Sequence, residues 1–400
     1  ERSHAMSFYL TNAQILDVKK GNFYNSTLEI NGSSISSIGK TPDSDAQVLD
    51  MSGKYLIPGI MDAHVHLVWD GTSPDPMGDT VRDGNYICFA RGAAGAMDSL
   101  RAGVTTVRDV GSNDDAAIPL ASAINRGILQ GCHVIPAGSA IQGSYGHCPM
   151  IGCIANTEAQ LIERIKRLKG YHIEMQIPPV HWAKIMASGG AAGLEDVGPC
   201  MYSPRELETL SYEVHRLNMK VAAHALSYDA ISKCVDAGID TIEHGAEMTD
   251  EILKKMKENG QCWVPTLAVY KSLAESEGII ADVIVKKART VVENQKRSFQ
   301  KALELGTKII LGSDAGSANF GPHPSAFLEM FAMKEYGMTP IDVIRSATIH
   351  AAAELGIEKD RGSLEVEKLA DIVVLDKNPL SDLHAFTDNL HCVYKEGVRV

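Results

Sequence analysis

Between residues 56 and 311, short apolar runs alternate eight times with segments of helical pattern. The runs cover 56–67, 104–107, 133–137, 182–187, 221–225, 240–243, 263–267 and 308–311. Helical spacing fills the gaps, at 81–102, 116–127, 161–169, 204–218, 228–237, 250–259 and about 279–305. The clearest helix start is Ser203-Pro204-x-Glu206, a cap, a proline at the first position and a glutamate three residues after the cap. Gly127, Gly238, Gly260 and Gly306 close four of the segments. Two further helical stretches follow, at about 324–335 and 340–354. Eight strand–helix repeats predict an α/β fold, specifically a (β/α)8 TIM barrel.

The flanks read differently. Residues 7–58 lack helical period; a strand at 7–16 precedes an Asn31-Gly32 turn joining 28–30 to 35–38 as a hairpin. Strands return at 370–375, 392–395 and 397–400. Two β-rich ends around a barrel predict one small β-sandwich built from both. The expected division is 7–58 for its first part, 59–360 for the barrel and 361–400 for its second part. A chain of 400 residues has room for a barrel of roughly 250–300 and a small extra domain.

A net charge of −12 leaves no basic excess to neutralise phosphates, which argues against nucleic acid as a partner. No apolar run reaches the ~18–20 residues of a membrane span. The eight cysteines form no Cys-x-x-Cys pair, as expected of reduced thiols in a cytoplasmic protein. The expected partner is a small-molecule substrate, with no nucleic acid and no membrane; a homo-oligomer stays open. Residues 1–6 read as an expression leader and carry no fold argument.

Function in such a barrel collects at the C-terminal ends of strands. There the sequence places His64 and His66, which share one face of an extended run. Later runs carry Lys184 among apolar neighbours and end in His224, in His244 and, within Gly312-Ser313-Asp314-Ala315-Gly316, in Asp314. Imidazoles and a carboxylate converging on one mouth suit a divalent metal. Taken singly, His-x-His fits an ordinary strand–loop boundary, and Asp314 fits a turn or cap. Lys184 is the informative residue. Inside a barrel an ammonium is costly, so desolvation favours the neutral amine, which can add carbon dioxide and become a two-oxygen carbamate able to bridge two metals. A salt bridge to Asp or Glu is the competing explanation.

Together, His64-x-His66, Lys184, His224, His244 and Asp314 resemble the amidohydrolase superfamily. Leu56-Ile57-Pro58-Gly59, Gly103-Val104-Thr105-Thr106 and Leu369-Ala370-Asp371-Ile372-Val373-Val374-Leu375 are similar too. Lys184-Ile185-Met186-Ala187-Ser188-Gly189-Gly190 and Asp240-Thr241-Ile242-Glu243-His244-Gly245 resemble the imidazolonepropionase-related branch, with its prolidase-like, Xaa-Arg/Lys dipeptidase-like and ochratoxinase-like amide hydrolases. The resemblance implies a binuclear hydrolase cleaving an amide bond in a dipeptide or N-acyl amino acid. His64, His66 and Asp314 would hold the more buried metal and His224 and His244 the more exposed one, with carbamylated Lys184 and an attacking hydroxide bridging. Zinc is expected first, manganese or cobalt next. Asp314 would serve as general base and then acid.

A cyclic amide or carbamate hydrolase is the alternative. A mononuclear deaminase or imidazolonepropionase-like enzyme ranks lower, because those lack the bridging lysine and His224-Ala225-Leu226-Ser227 lacks the glutamate that deaminases carry near that histidine. For substrate contacts, His147 in Gly143-Ser144-Tyr145-Gly146-His147 and Tyr228, four after His224, are the candidates. A structural loop histidine and a helix-start packing tyrosine account for them equally well. Arg108 could meet a substrate carboxylate, but a structural network with Asp109 is the favoured reading; the remaining histidines read as surface or packing residues, with His323, just beyond the Asp314 loop, the first candidate for an exception.

Overall fold

Gly59 is where the chain passes from one body of structure into the next. The structure, a computed structural model, describes residues 7–174, 179–193 and 195–400; residues 1–6, read above as a leader, and the side chain of His172 lie outside the described residues. Five strands precede Gly59: β1 (Phe8–Asp17), β2 (Asn22–Asn31), β3 (Ser34–Ile38), β4 (Gln47–Asp50) and β5 (Tyr55–Pro58). Ten follow: β6 (Ile60–Val65), β7 (Val104–Asp109), β8 (His133–Pro136), β9 (Ile141–Gln142), β10 (Cys153–Ile154), β11 (Trp182–Met186), β12 (Lys220–Ala225), β13 (Thr241–His244), β14 (Cys262–Val264) and β15 (Lys308–Ile309). Three end the chain: β16 (Ile372–Leu375), β17 (Leu390–Lys395) and β18 (Val398–Arg399).

Both chain ends meet in one eight-stranded sheet, ordered β18-β17-β16-β5-β1-β2-β3, with β4 beside β1. The Asn31-Gly32 hairpin forms as its turn chemistry requires, pairing β2 with β3. β1 bulges between Leu10 and Ala13, pairing with β4 before the bulge and β5 after it. Bulges bend the strand that carries them. Here Phe8 stacks on Tyr394 at 5.8 Å between ring centroids, although β5 and β16 separate their strands in the sheet order. The apolar residues Leu10, Ile15, Ile30, Leu56, Ile372 and Val374 share the cluster beneath.

The apolar run that starts at Leu56 is thus two strands. β5 belongs to the chain-end sheet, antiparallel to β16, and only β6 continues inward. The break needs a glycine, because a Cβ on residue 59 would lie 2.0 Å from Thr105 Oγ1.

The inner strands are all parallel. β6, β7 and β8 form one sheet, and the other runs β10-β9-β11-β12-β13-β14-β15. The two are stitched where β6 meets the segment after β15: Ala63 N donates to Leu311 O, Asp314 N to His64 O and His66 N to Ala315 O, at 2.8–2.9 Å. Helices alternate with and flank these strands: α1 (Pro76–Arg101), α2 (Ala117–Asn125), α3 (Glu158–Glu174), α4 (Pro204–Arg216), α5 (Tyr228–Asp236), α6 (Asp250–Asn259), α7 (Leu267–Glu275), α8 (Asp282–Leu305), α9 (Ala326–Glu335), α10 (Pro340–Ser346) and α11 (Ile349–Leu355). Ser203 and Glu206 make the reciprocal capping box at the start of α4. No helix among the described residues is long and apolar enough to cross a membrane. All eight cysteines are unpaired.

Three local readings change. The run at 263–267 stops as a strand at Val264, and Leu267 opens α7. That helix buries Leu267, Ala268, Val269, Tyr270 and Leu273, so little polar face marks its period in the sequence. The stretch at 340–354 is two helices, broken at Ala347 and Thr348. The short β9 and β10, unread in the sequence, bracket the loop that carries His147.

Candidate metal centre

β6 ends on His64 and Val65, and the chain carries His66 just beyond it. His66 Nε2 and His64 Nε2 stand 3.3 and 3.5 Å from the same oxygen of Asp314, and ligand atoms of these three residues all lie within 4.8 Å of one another. His244 approaches from β13, its ring centroid 4.9 Å from that of His64, and His224 from β12, 4.6 Å from His244. Lys184 and Met186, two apart on β11, face the same cavity of about 390 Å³ that all six candidate ligands line. A wider groove of about 540 Å³ opens at the other end of the strands, beside His133, Trp182 and Lys220, where β8, β11 and β12 begin.

Two of the six sit on backbone that most residues avoid. His244 has φ 70° and Asp314 φ 64°. Such left-handed conformations cost on the order of 1–3 kcal/mol each at non-glycine positions and collect at functional sites. For His244 the gain is visible. Strict strand alternation would turn it away from the face of Glu243, yet Glu243 bonds His64 and His244 also faces His64. The turn at residue 244 lets both neighbours reach one centre.

Each imidazole has one nitrogen engaged. His64 Nδ1 pairs with Glu243 Oε2 at 2.6 Å, His66 Nδ1 with Gly111 O at 2.9 Å, His244 Nδ1 with Thr266 Oγ1 at 2.7 Å, and His224 Nε2 with Gly189 O at 3.1 Å. Metal-binding histidines are oriented in this way, the partner fixing the tautomer and leaving the other nitrogen for the ion. Burial, with the Lys184 charge adding to it, pushes His64 down to about 4, and burial pushes His224 and His244 well below the ordinary imidazole value. Neutral rings result, the form that ligates.

Lys184 is 1% exposed and its Nζ has no hydrogen-bond partner. Burial lowers its pKa to about 8. A buried amine left unpaired among four imidazoles and a carboxylate is not a structural lysine in a salt bridge. The donor set fits divalent cations, and the orphaned nitrogen fits a group still to be added.

The layer below is a relay. Arg108, fully buried, donates to Glu243 Oε1 at 2.8 Å, to Thr241 Oγ1 and to Ala63 O, and lies over the Trp182 ring. Arg108 is structural, as expected, but its acid is Glu243. Asp109 instead accepts from Leu67 N and Gly111 N.

The two candidate substrate contacts separate. His147 lines the cavity, stacked on His224 at 4.8 Å and bonded through Nδ1 to Glu195, which also accepts from Gly190 N. Tyr228 stands 46% exposed at the start of α5 and does not line the cavity. The cavity's tyrosine is Tyr270 of α7, edge-on to His244 at 5.6 Å. His323 is half-buried beside His66 and Trp69, outside the cavity lining. Glu243 had a signal in the sequence, a glutamate inside an apolar strand beside His244. Glu195 and Tyr270 had none.

The profile of the amidohydrolase family matches residues 55–400. The chain belongs to that family. Among its relatives, the ochratoxinase of Aspergillus niger is 27% identical over 363 residues, covering 83% of this chain and 72% of that protein. The imidazolonepropionase of Symbiobacterium thermophilum is 24% identical over 351 residues, covering 83% and 77%. The crystal structure of a Xaa-Pro dipeptidase with methionine bound in its active site superposes with a TM-score of 0.87 at 27% identity, covering 98% of this chain and 99% of that one. These relatives match the branch expected from the motifs around Lys184 and His244. This amidohydrolase is a hydrolase acting on amide C–N bonds.

Proposed function

We propose that this amidohydrolase is a binuclear, metal-dependent enzyme that cleaves an amide bond in a dipeptide or N-acyl amino acid. The observation that carries the reading is Lys184, buried and unpartnered in a cavity with four histidines and Asp314. In this reading the parallel strands close as a (β/α)8 barrel. The cluster of Met61, Ala63, Ile135, Trp182, Ala222 and Val264, drawn from strands of both parallel sheets, supports it. The chain-end sheet folds on itself as a small β-sandwich, for which the β1 bulge and the Phe8–Tyr394 stack speak. Eight unpaired cysteines accord with a cytoplasmic enzyme.

His64, His66 and Asp314 would hold the more buried ion, and His224 and His244 the more exposed one. Lys184, after adding carbon dioxide and losing a proton, would supply a carbamate oxygen to each. Imidazole and carboxylate donors suit zinc first, then manganese or cobalt. When bound, two such ions supply Lewis acidity toward the carbonyl and a nucleophile at neutral pH. Asp314, buried and facing both β6 histidines, accepts the proton of the attacking water on its carboxylate and returns it to the departing nitrogen. Glu243 and Thr266 hold the tautomers of His64 and His244. Apolar Met186, Val269 and Tyr270 exclude water around the scissile bond.

The test is a turnover panel of dipeptides, N-acyl amino acids and their carboxamides, run with the metal-loaded protein. Release of free amine from any of them supports the proposal. Silence across that panel, with turnover of a cyclic amide or a carbamate, removes it in favour of a different amidohydrolase chemistry.

A further inference from the structure

The N-cap of α7 is Thr266, a residue type whose hydroxyl normally accepts an N–H of the first helical turn. At this helix it makes no such bond. Thr266 sits at φ 51°, left-handed backbone that a β-branched residue rarely adopts, and its Oγ1 is 2.7 Å from His244 Nδ1. Gln295 of α8 braces the same corner, donating to His244 O at 2.8 Å and to Pro265 O at 2.7 Å.

The open N–H groups of α7 are met from another helix. Glu329, fully buried on α9, accepts from Leu267 N through Oε1 at 2.9 Å and from Ala268 N through Oε2 at 2.8 Å. One carboxyl group thus satisfies two of the donors that a helix start leaves unpaired. An apolar side chain at 329 would fill the space without the desolvation cost of an acid, but would strand both N–H groups. Glu329 itself lies outside the cavity lining.

We propose that Glu329 is a positioning residue for the metal centre: by capping α7 in place of Thr266, it leaves the Thr266 hydroxyl to hold His244 Nδ1 and so keeps Nε2 for an ion. The inference takes His244 as a ligand, as in the reading above, and traces its orientation to a side chain that does not touch the site. Thr266 cannot both cap its own helix and keep the left-handed turn that brings its hydroxyl to His244. Glu329 removes that conflict.

Amide exchange and zinc binding test it together, in the full chain. Hydrogen exchange read by mass spectrometry, without added metal, follows the Leu267 and Ala268 amides. Glu329→Gln keeps one acceptor and sets an NH2 group against the second donor, so exchange there is expected to quicken by about tenfold, the effect of one lost cap. Thr266→Val is expected to leave those amides at the parent rate. Competition with a chromogenic chelator reads the other half. Each single variant is expected to weaken the second zinc by about tenfold or more. The double variant is expected to match Thr266→Val, because Glu329 acts on His244 through Thr266. Faster exchange in Thr266→Val, parent-like exchange in Glu329→Gln, or zinc losses that multiply in the double variant overturns the inference. Should Glu329→Gln fail to fold, Thr266→Val decides alone, parent-like exchange supporting the inference and faster exchange overturning it. Fewer than two zinc ions on the parent removes the two-metal reading instead, and exchange still decides which residue caps α7.

Discussion

Glu243 sets one carboxylate oxygen, Oε2, 2.6 Å from His64 Nδ1 and the other, Oε1, 2.8 Å from Arg108 Nη2. One fully buried acid therefore joins a candidate ligand to a fully buried cation. Burial alone would raise its pKa, but the Arg108 charge and the His64 hydrogen bond hold it well below the ordinary carboxylate range. Glu243→Gln keeps the volume and removes the charged acceptor. Zinc affinity, measured by competition with a chromogenic chelator, is expected to fall by about 10–100-fold. Arg108→Met is a stability variant instead. It takes the compensating cation from buried Glu243, which keeps only its His64 and Thr241 hydrogen bonds, and denaturant unfolding is expected to show a loss of about 3–5 kcal/mol.

Most of the centre was legible because polar residues interrupt apolar strands only where something holds them there. Lys184 inside Trp182–Met186 and His224 at the end of Val221-Ala222-Ala223 are such interruptions. The parallel strands were legible for the same reason, since strands buried on both faces read as continuous apolar runs. Tyr270 was not, because α7 is itself apolar and looks like an extension of β14. Glu195 was not, because its loop has no period and its partner His147 is 48 residues away. The division of the Leu56 run at Gly59 depends on Thr105, a contact that spacing does not encode.

A second relationship governs stability below neutral pH. Arg164 grips Asp115 with Nη1 at 2.9 Å and Nη2 at 2.5 Å, and the Tyr171 hydroxyl donates to the same carboxylate at 2.6 Å. Burial would raise the Asp115 pKa. The Arg164 contacts outweigh it and bring the pKa down to about 2. A depressed folded-state value means that the stabilisation is fully present above the unfolded value of about 4 and is lost as pH falls from there toward 2. Unfolding free energy measured across that window is expected to drop in the parent and to drop less in Asp115→Asn. An identical slope in both would remove Asp115 from the account. Arg164→Ala at neutral pH is expected to cost about 3–5 kcal/mol, since it strands a buried charge.

Gly190 gives a third prediction. A Cβ there would meet the His147 ring at 2.2 Å, so Gly190→Ala has to push the ring or the loop aside. The contact lies at the cavity wall and not in the inner core. The melting temperature is expected to stay within about 2 °C of the parent, corresponding to a loss of no more than about 2 kcal/mol in a chain this large. Steady-state kinetics are expected to show kcat/KM falling by about 10–100-fold through a misplaced His147. Unchanged kinetics would show that His147 has no part in turnover.

The central claim is that Lys184 makes this a two-metal site, and metal stoichiometry tests it most directly. Protein loaded with zinc in bicarbonate buffer and freed of excess metal is expected to retain two ions per chain by elemental analysis. Lys184→Ala is expected to retain one or fewer and to lose turnover. One ion per chain in the parent, with Lys184→Ala keeping both that ion and full activity, would contradict the account.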